Sequence, residues 1–179
     1  DKLVVFATNG RFFTLTAGDL PGGRGHGEPV RLIIDLAENV DVLDVFVHQP
    51  GRRLLVASAE GYGFIVPEDE VIASTRKGRQ VLNVASGDEA AVCVEVPENA
   101  NQLATIGTNR KMLVFPLADV AEMTRGKGVI LQRIKDGALS DARAFIAKQG
   151  LSWHDAAGRT FTLGLSDLAE WRGQRAQAG

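Results

Sequence analysis

The sequence predicts an all-β, propeller-like fold of about four four-stranded blades in an open ring, the last blade incomplete. Three observations carry that expectation. A hairpin turn recurs at Gly10-Arg11, Gly61-Tyr62, Arg110-Lys111 and Gly158-Arg159. An aspartate follows each turn, at Asp19, Asp69, Asp119 and Asp167, at intervals of 50, 50 and 48 residues. After each aspartate comes a loop of glycines and cations: Arg24-Gly25-His26-Gly27, Arg76-Lys77-Gly78-Arg79, Arg125-Gly126-Lys127-Gly128 and Arg172-Gly173-Gln174-Arg175. A period near fifty is that of one supersecondary unit wheeled or stacked several times.

The elements follow from the period-two pattern within each unit. In the first unit strands are expected over 3–8 and 11–15, joined by Asn9-Gly10, the strongest hairpin signal in the chain. Further strands over 30–36 and 40–47 complete it. The second unit offers 54–58, 62–66, 80–84 and 91–96, and the third 103–107, 112–115, 129–134 and 142–146. The fourth has only 151–155 and 160–163 before its basic loop. The repeats therefore run over about 1–50, 51–100, 101–149 and 150–179, as one domain. Helical signal is confined to a turn or so at 117–123 and 166–171, with Ser166 or Asp167 as the N-cap.

Composition narrows the function. Net charge is −2, from 20 Lys and Arg against 22 Asp and Glu, so a nucleic-acid binder must concentrate its cations. They are concentrated: the hairpins and Gly loops share one position in the repeat, while Asp41, Asp44, Glu68, Glu70, Asp88 and Glu89 lie between them. Arranged around an axis, the basic loops make one rim. Glycine lets backbone N–H groups approach a phosphate while the adjacent Arg or Lys supplies charge, a combination that reads no bases. The candidate contacts are Arg11, Arg24, His26, Arg76, Lys77, Arg79, Arg110, Lys111, Arg125, Lys127, Arg159, Arg172 and Arg175.

Other chemistries lack their residues. Gly23 to Gly27 is followed by a β-branched run rather than a helix, against a dinucleotide site. His26, His48 and His154 stand in three different units without ligand spacing, and no Gly-x-Ser-x-Gly elbow is present. Tyr62, Trp153 and Trp171 read as packing or rim residues; with aromatics at 6%, duplex is favoured over single strands. Cys93, the single cysteine, sits in an apolar run and reads as a small buried hydrophobe. No stretch approaches the length of a membrane span. The chain opens inside a strand-like run, so a segment of a longer polypeptide is expected.

These loops carry a resemblance. Asp19-Leu20-Pro21 with Arg24 to Pro29, Gly61-Tyr62-Gly63-Phe64, and Met112 to Asp119 running to Arg125-Gly126-Lys127-Gly128 resemble the C-terminal domain of the DNA topoisomerase IV A subunit, which is related to the C-terminal domain of the gyrase A subunit. The resemblance implies a β-pinwheel, whose blades interlock by strand exchange, that binds and bends duplex DNA on its outer rim and selects the segment for strand passage. It also implies that the catalytic tyrosine lies in a preceding domain and the ATPase in the B subunit of a heterotetramer. ATP and Mg2+ then belong to the holoenzyme, with no catalysis or cofactor in this domain, in the bacterial cytoplasm at the nucleoid. Gyrase carries a Gln-Arg-Arg-Gly-Gly-Lys-Gly box in its first blade; the nearest form here is Arg125 to Gly128 in a later blade, which favours the topoisomerase IV version. The alternatives are a gyrase-type wrapping domain, a propeller protein-interaction module, which needs an apolar face, and a catalytic propeller, which needs acids or histidines converging on the channel.

Overall fold

In the computed structural model, described over residues 2–16, 34–154, 157–164 and 166–178, the chain forms small antiparallel sheets in series. The first unit contributes β1 (Lys2–Ala7), β2 (Arg11–Thr16) and β3 (Val42–Val47). The second contributes β4 (Arg53–Ser58), β5 (Tyr62–Pro67), β6 (Arg79–Gln80) and β7 (Ala90–Val96). The third gives β8 (Gln102–Gly107), β9 (Met112–Pro116), β10 (Val129–Ile130) and β11 (Leu139–Phe145). The fourth gives β12 (Leu151–His154) and β13 (Thr160–Leu163).

The sheets are not contiguous in sequence. Their strand orders are β3-β1-β2-β6, β10-β5-β4-β7, β11-β8-β9 and β12-β13. The short strand after each basic loop leaves its own unit and pairs with the preceding one: β6 with β2 through Arg11 and Phe12, β10 with β5 through Tyr62 and Gly63. The long strands expected at 80–84 and 129–134 thus shrink to two paired residues each. Beyond them the chain still follows the neighbour, since Leu82 N–H donates to Gly10 O and Leu131 N–H to Gly61 O. The expected strand over 30–36 lies mostly outside the described residues, and 34–36 is not strand. Of the four four-stranded blades expected, two have four strands, one three and one two among the described residues.

Burial explains why the strands read as apolar runs rather than alternations: each blade is covered on both faces. Val4, Phe6 and Phe12 face Leu54, Val56, Phe64 and Val66 of the second blade in one core. The opposite face of that blade, Leu55, Ala57 and Ile65, packs on Leu103, Leu113 and Phe115 of the third. A smaller core of Ala104, Val114, Phe145, Leu151 and Leu168 joins third to fourth. Val5, Phe13 and Leu15, on the far face of the first blade, pack with Ile34. Among the described residues none of these cores joins the fourth blade back to the first, so the ring is open as expected. β7 packs against both β3 and β11, which places these edges innermost and the opposite edges, β6 and β10, outermost.

The helical signal becomes single 3-10 turns at Leu117–Asp119 and Ala169–Trp171, with a third at Glu68–Glu70 that the sequence did not suggest. The last turn is capped by Leu168 without a side-chain bond; Asp167, the expected N-cap, instead accepts from Gly164 N–H at 3.1 Å. Asp69 is second in its turn and Asp119 third, so these repeated aspartates are neighbours rather than equivalents. Glu68 occupies the place of Leu117 and is fully buried as an ion. Its carboxylate accepts from Gln49 N–H at 2.5 Å and Arg52 Nε at 2.5 Å, and meets His48 Nδ1 at 2.6 Å. His48 Nε2 lies 3.2 Å from Asp69. This cluster pins the linker between the first two blades, and its hydrogen bonds allow the charge to be buried.

Candidate nucleic-acid interface

The two described basic loops of the middle units are built alike. Gly78 and Gly128 have φ of +75° and +84°, a conformation glycine adopts without strain. Each also faces the preceding blade so closely that a Cβ would lie 2.6 Å from Phe12 O or 2.2 Å from Gly63 O. These glycines are therefore small because a neighbouring strand passes over them. Nor are the loop amides open to an anion at every glycine: Gly78 N–H donates to Thr75 O and Gly126 N–H to Val81 O. Charge on the loops is left to the side chains.

Those side chains reach solvent. Arg76, Lys77 and Arg79 are exposed around Gly78, and Arg125 and Lys127 around Gly128. Both loops immediately precede an outermost strand, so their cations stand on the outer rim of adjacent blades, with Lys77 and Lys127 in equivalent places. Arg24 and His26 lie outside the described residues.

The remaining candidates divide. Arg11 is half-buried and its Nη1 donates to Lys77 O at 3.1 Å, bracing the second loop rather than extending from it. Arg110, with φ of 66°, and Lys111 are exposed at the β8–β9 hairpin. Arg159 is exposed near the β12–β13 hairpin, 5.7 Å from the Phe161 ring centroid. Phe161 and Trp153 stack at 5.5 Å and are each 39% exposed, while Trp171 packs against the core between third and fourth blades.

The fourth loop falls three residues later than the sequence suggested. Gly173 N–H donates to Val114 O as Met123 N–H does to Ile65 O, so Arg172-Gly173 corresponds to Glu122-Met123. Ala176 N–H donates to Leu131 O as Gly126 N–H does to Val81 O. The loop equivalent to 125–128 is therefore 175–178, and Gln177 replaces Lys127. Arg172 is exposed, whereas Arg175 is half-buried with Nη1 on Ile130 O at 2.8 Å. Buried Gln132 ties this region in, accepting from Thr105 Oγ1 at 2.8 Å and donating to Lys111 O and Ala178 O at 3.0 Å. The glycine and arginines of 172–175 imitate the loop pattern one register too early.

Sequence reasoning also missed Tyr62 as part of the rim. Its ring lies under Lys127, with Nζ 4.1 Å from the centroid. Cys93 behaves as expected: burial foremost, then the charges of Asp44 and Glu68, push its thiol pKa up, against the opposing effect of Arg52. Among the described residues no group of three or more His, Cys, Asp or Glu is placed to hold a metal. No helix among them is long and apolar enough to cross a membrane.

Comparison with known proteins places this architecture. Residues 1–49, 52–91 and 101–142 match the family described as DNA gyrase C-terminal domain, beta-propeller. The chain is 48% identical over its full length to the A subunit of DNA topoisomerase 4 from Caulobacter vibrioides, of which it spans 23%. It is 40% identical over 86% of its length to the protein of the same name from Rickettsia bellii, of which it spans 20%. In structure it overlays the E. coli ParC C-terminal domain with a TM-score of 0.84 at 24% identity, covering 99% of this chain and 75% of that one. A DNA gyrase A C-terminal domain gives 0.69 at 16% identity, covering 100% and 59%. With its serial antiparallel blades, exchanged outer strands and a family match over most of its length, the chain belongs to the DNA gyrase C-terminal, beta-propeller domain family, and its relatives here are the A subunits of topoisomerase IV.

Proposed function

We propose that this domain binds duplex DNA along its outer rim without sequence preference, bends it across consecutive blades, and so selects the segment that a topoisomerase IV acts on. The observation that carries the reading is the repetition of exposed cations at equivalent outer-edge places, Lys77 with Arg76 and Arg79 in one blade joint and Lys127 with Arg125 in the next. Consecutive blades turn about an axis, so a duplex that meets both loops must curve. Lys and Arg on flexible loops contact phosphates and carry no base code. The names of the relatives supply the context: a longer polypeptide whose other regions perform cleavage, working with the B subunit, ATP and Mg2+ in the bacterial cytoplasm. In this reading the domain itself is non-catalytic.

Binding measured on unrelated duplexes at two salt concentrations tests it. Four neutralised phosphates give a log-log slope of about −3.6, so affinity falls on the order of a hundredfold between about 50 and 200 mM salt. A flat salt response, or strong preference for one sequence, overturns the reading.

A further inference from the structure

We infer that Tyr62 is a positioning residue for DNA binding, holding Lys127 at the place on the rim where it meets a phosphate. This rests on the function proposed above. Tyr62 is the first residue of β5 and pairs with Ile130 of β10, the strand that the basic loop feeds. The next pair of that register, Gly63 with Val129, has no room for a side chain: a Cβ on Gly63 would lie 2.5 Å from Val56 O and 2.9 Å from Leu131 Cδ1. On the other strand Gly128 sits against Gly63 O. With the loop locked down at these two glycines, Lys127 is delivered over the Tyr62 ring, 4.1 Å from its centroid.

The same position is used in the preceding joint by different chemistry. Arg11, the first residue of β2, pairs with Gln80 of β6, and its guanidinium holds the carbonyl of Lys77. Each joint thus uses the residue that follows the hairpin to fix the loop arriving from the next unit. Arg11 restrains the Lys77 backbone; Tyr62 restrains the Lys127 ammonium directly. A lysine on a surface loop loses rotamer freedom when it pairs with a phosphate, and a lysine already stacked on an aromatic face has lost part of it beforehand. The quadrupole of the ring attracts the ammonium from one side and leaves its other donors for the ligand.

The test is a double-variant cycle on the whole chain, read as duplex affinity and its salt slope. Lys127→Gln lowers the slope by about 0.9, one phosphate contact. Tyr62→Leu keeps apolar bulk but removes the ring, and lowers affinity about threefold; added to Lys127→Gln it causes no further loss. Tyr62→Phe, which keeps the ring, retains wild-type affinity. Without DNA, the Lys127 ε-methylene protons of the wild-type chain show an upfield ring-current shift that Tyr62→Leu abolishes. An equal Tyr62→Leu loss in the Lys127→Gln background, a Tyr62→Phe variant as weak as Tyr62→Leu, or no upfield shift overturns the inference. Duplex binding unaffected by Tyr62→Leu overturns it alone, whereas a wild-type chain that does not bind duplex overturns the rim reading beneath it.

Discussion

Gly128 and Gly87 separate two reasons for glycine. Both have positive φ, +84° and +85°, but a Cβ on Gly87 meets nothing within 4 Å while one on Gly128 collides with Gly63 O. Gly87→Ala should cost about 1 kcal/mol from backbone strain alone, and Gly128→Ala well over about 2 kcal/mol because the outer strand must also move. Thermal denaturation of the two variants checks the order; equal losses would remove the close approach from the account. Glu68 is the other residue on which a joint depends. Glu68→Ala leaves Arg52 and the Gln49 amide without their acceptor and should cost about 3 kcal/mol. Cys93 gives a pH signature. Its thiol pKa is raised in the fold above the ordinary 9.0, so above that pH the unfolded chain loses a proton that the folded chain keeps. Stability should be level with respect to this group at neutral pH and fall by about 1.4 kcal/mol per pH unit above about 9. Denaturant titrations of the wild type and Cys93→Ala across that range measure the difference, and an identical pH dependence would contradict the burial.

At the scale of elements, the hairpins β1–β2, β4–β5, β8–β9 and β12–β13 were legible because their signals are local: a turn residue between two short apolar runs. The exchanged strands were not. Nothing within residues 79–80 or 129–130 records that their partner is a strand one repeat back, since pairing of that range is fixed by how Gly78 and Gly128 fold under Phe12 and Gly63. The fourth loop failed for a related reason. Gly and Arg at 172–175 satisfy the pattern, but the hydrogen bonds that define the loop fall on Ala176 and Gln177, residues with no sequence hallmark. Of the candidate cations, exposure separates the loop side chains from Arg11 and Arg175, which are spent on carbonyls. Arg175→Gln should therefore destabilise the chain by about 1 kcal/mol, the worth of one hydrogen bond to a charged group, and leave duplex affinity unchanged. Parallel melting and binding curves check this, and a loss of affinity at unchanged stability would return Arg175 to the interface.

For the molecule as a whole, a net charge of −2 is reconciled with an anionic partner by segregation. The inner strands β3, β7 and β11 meet around the axis, and the loops ahead of β6 and β10 carry their cations to the far edge. The measurement that tests this most directly is the salt dependence of duplex binding for two charge-matched double variants. Lys77→Glu with Lys127→Glu alters the rim in adjacent joints. Lys135→Glu with Lys148→Glu changes the same charge in the turns flanking β11 (Leu139–Phe145), at the inner edge. The rim pair should flatten the log-log slope by about two units and weaken binding on the order of a hundredfold at low salt, while the inner pair changes the slope little. Equal losses from the two pairs would mean that only total charge matters and would contradict the rim.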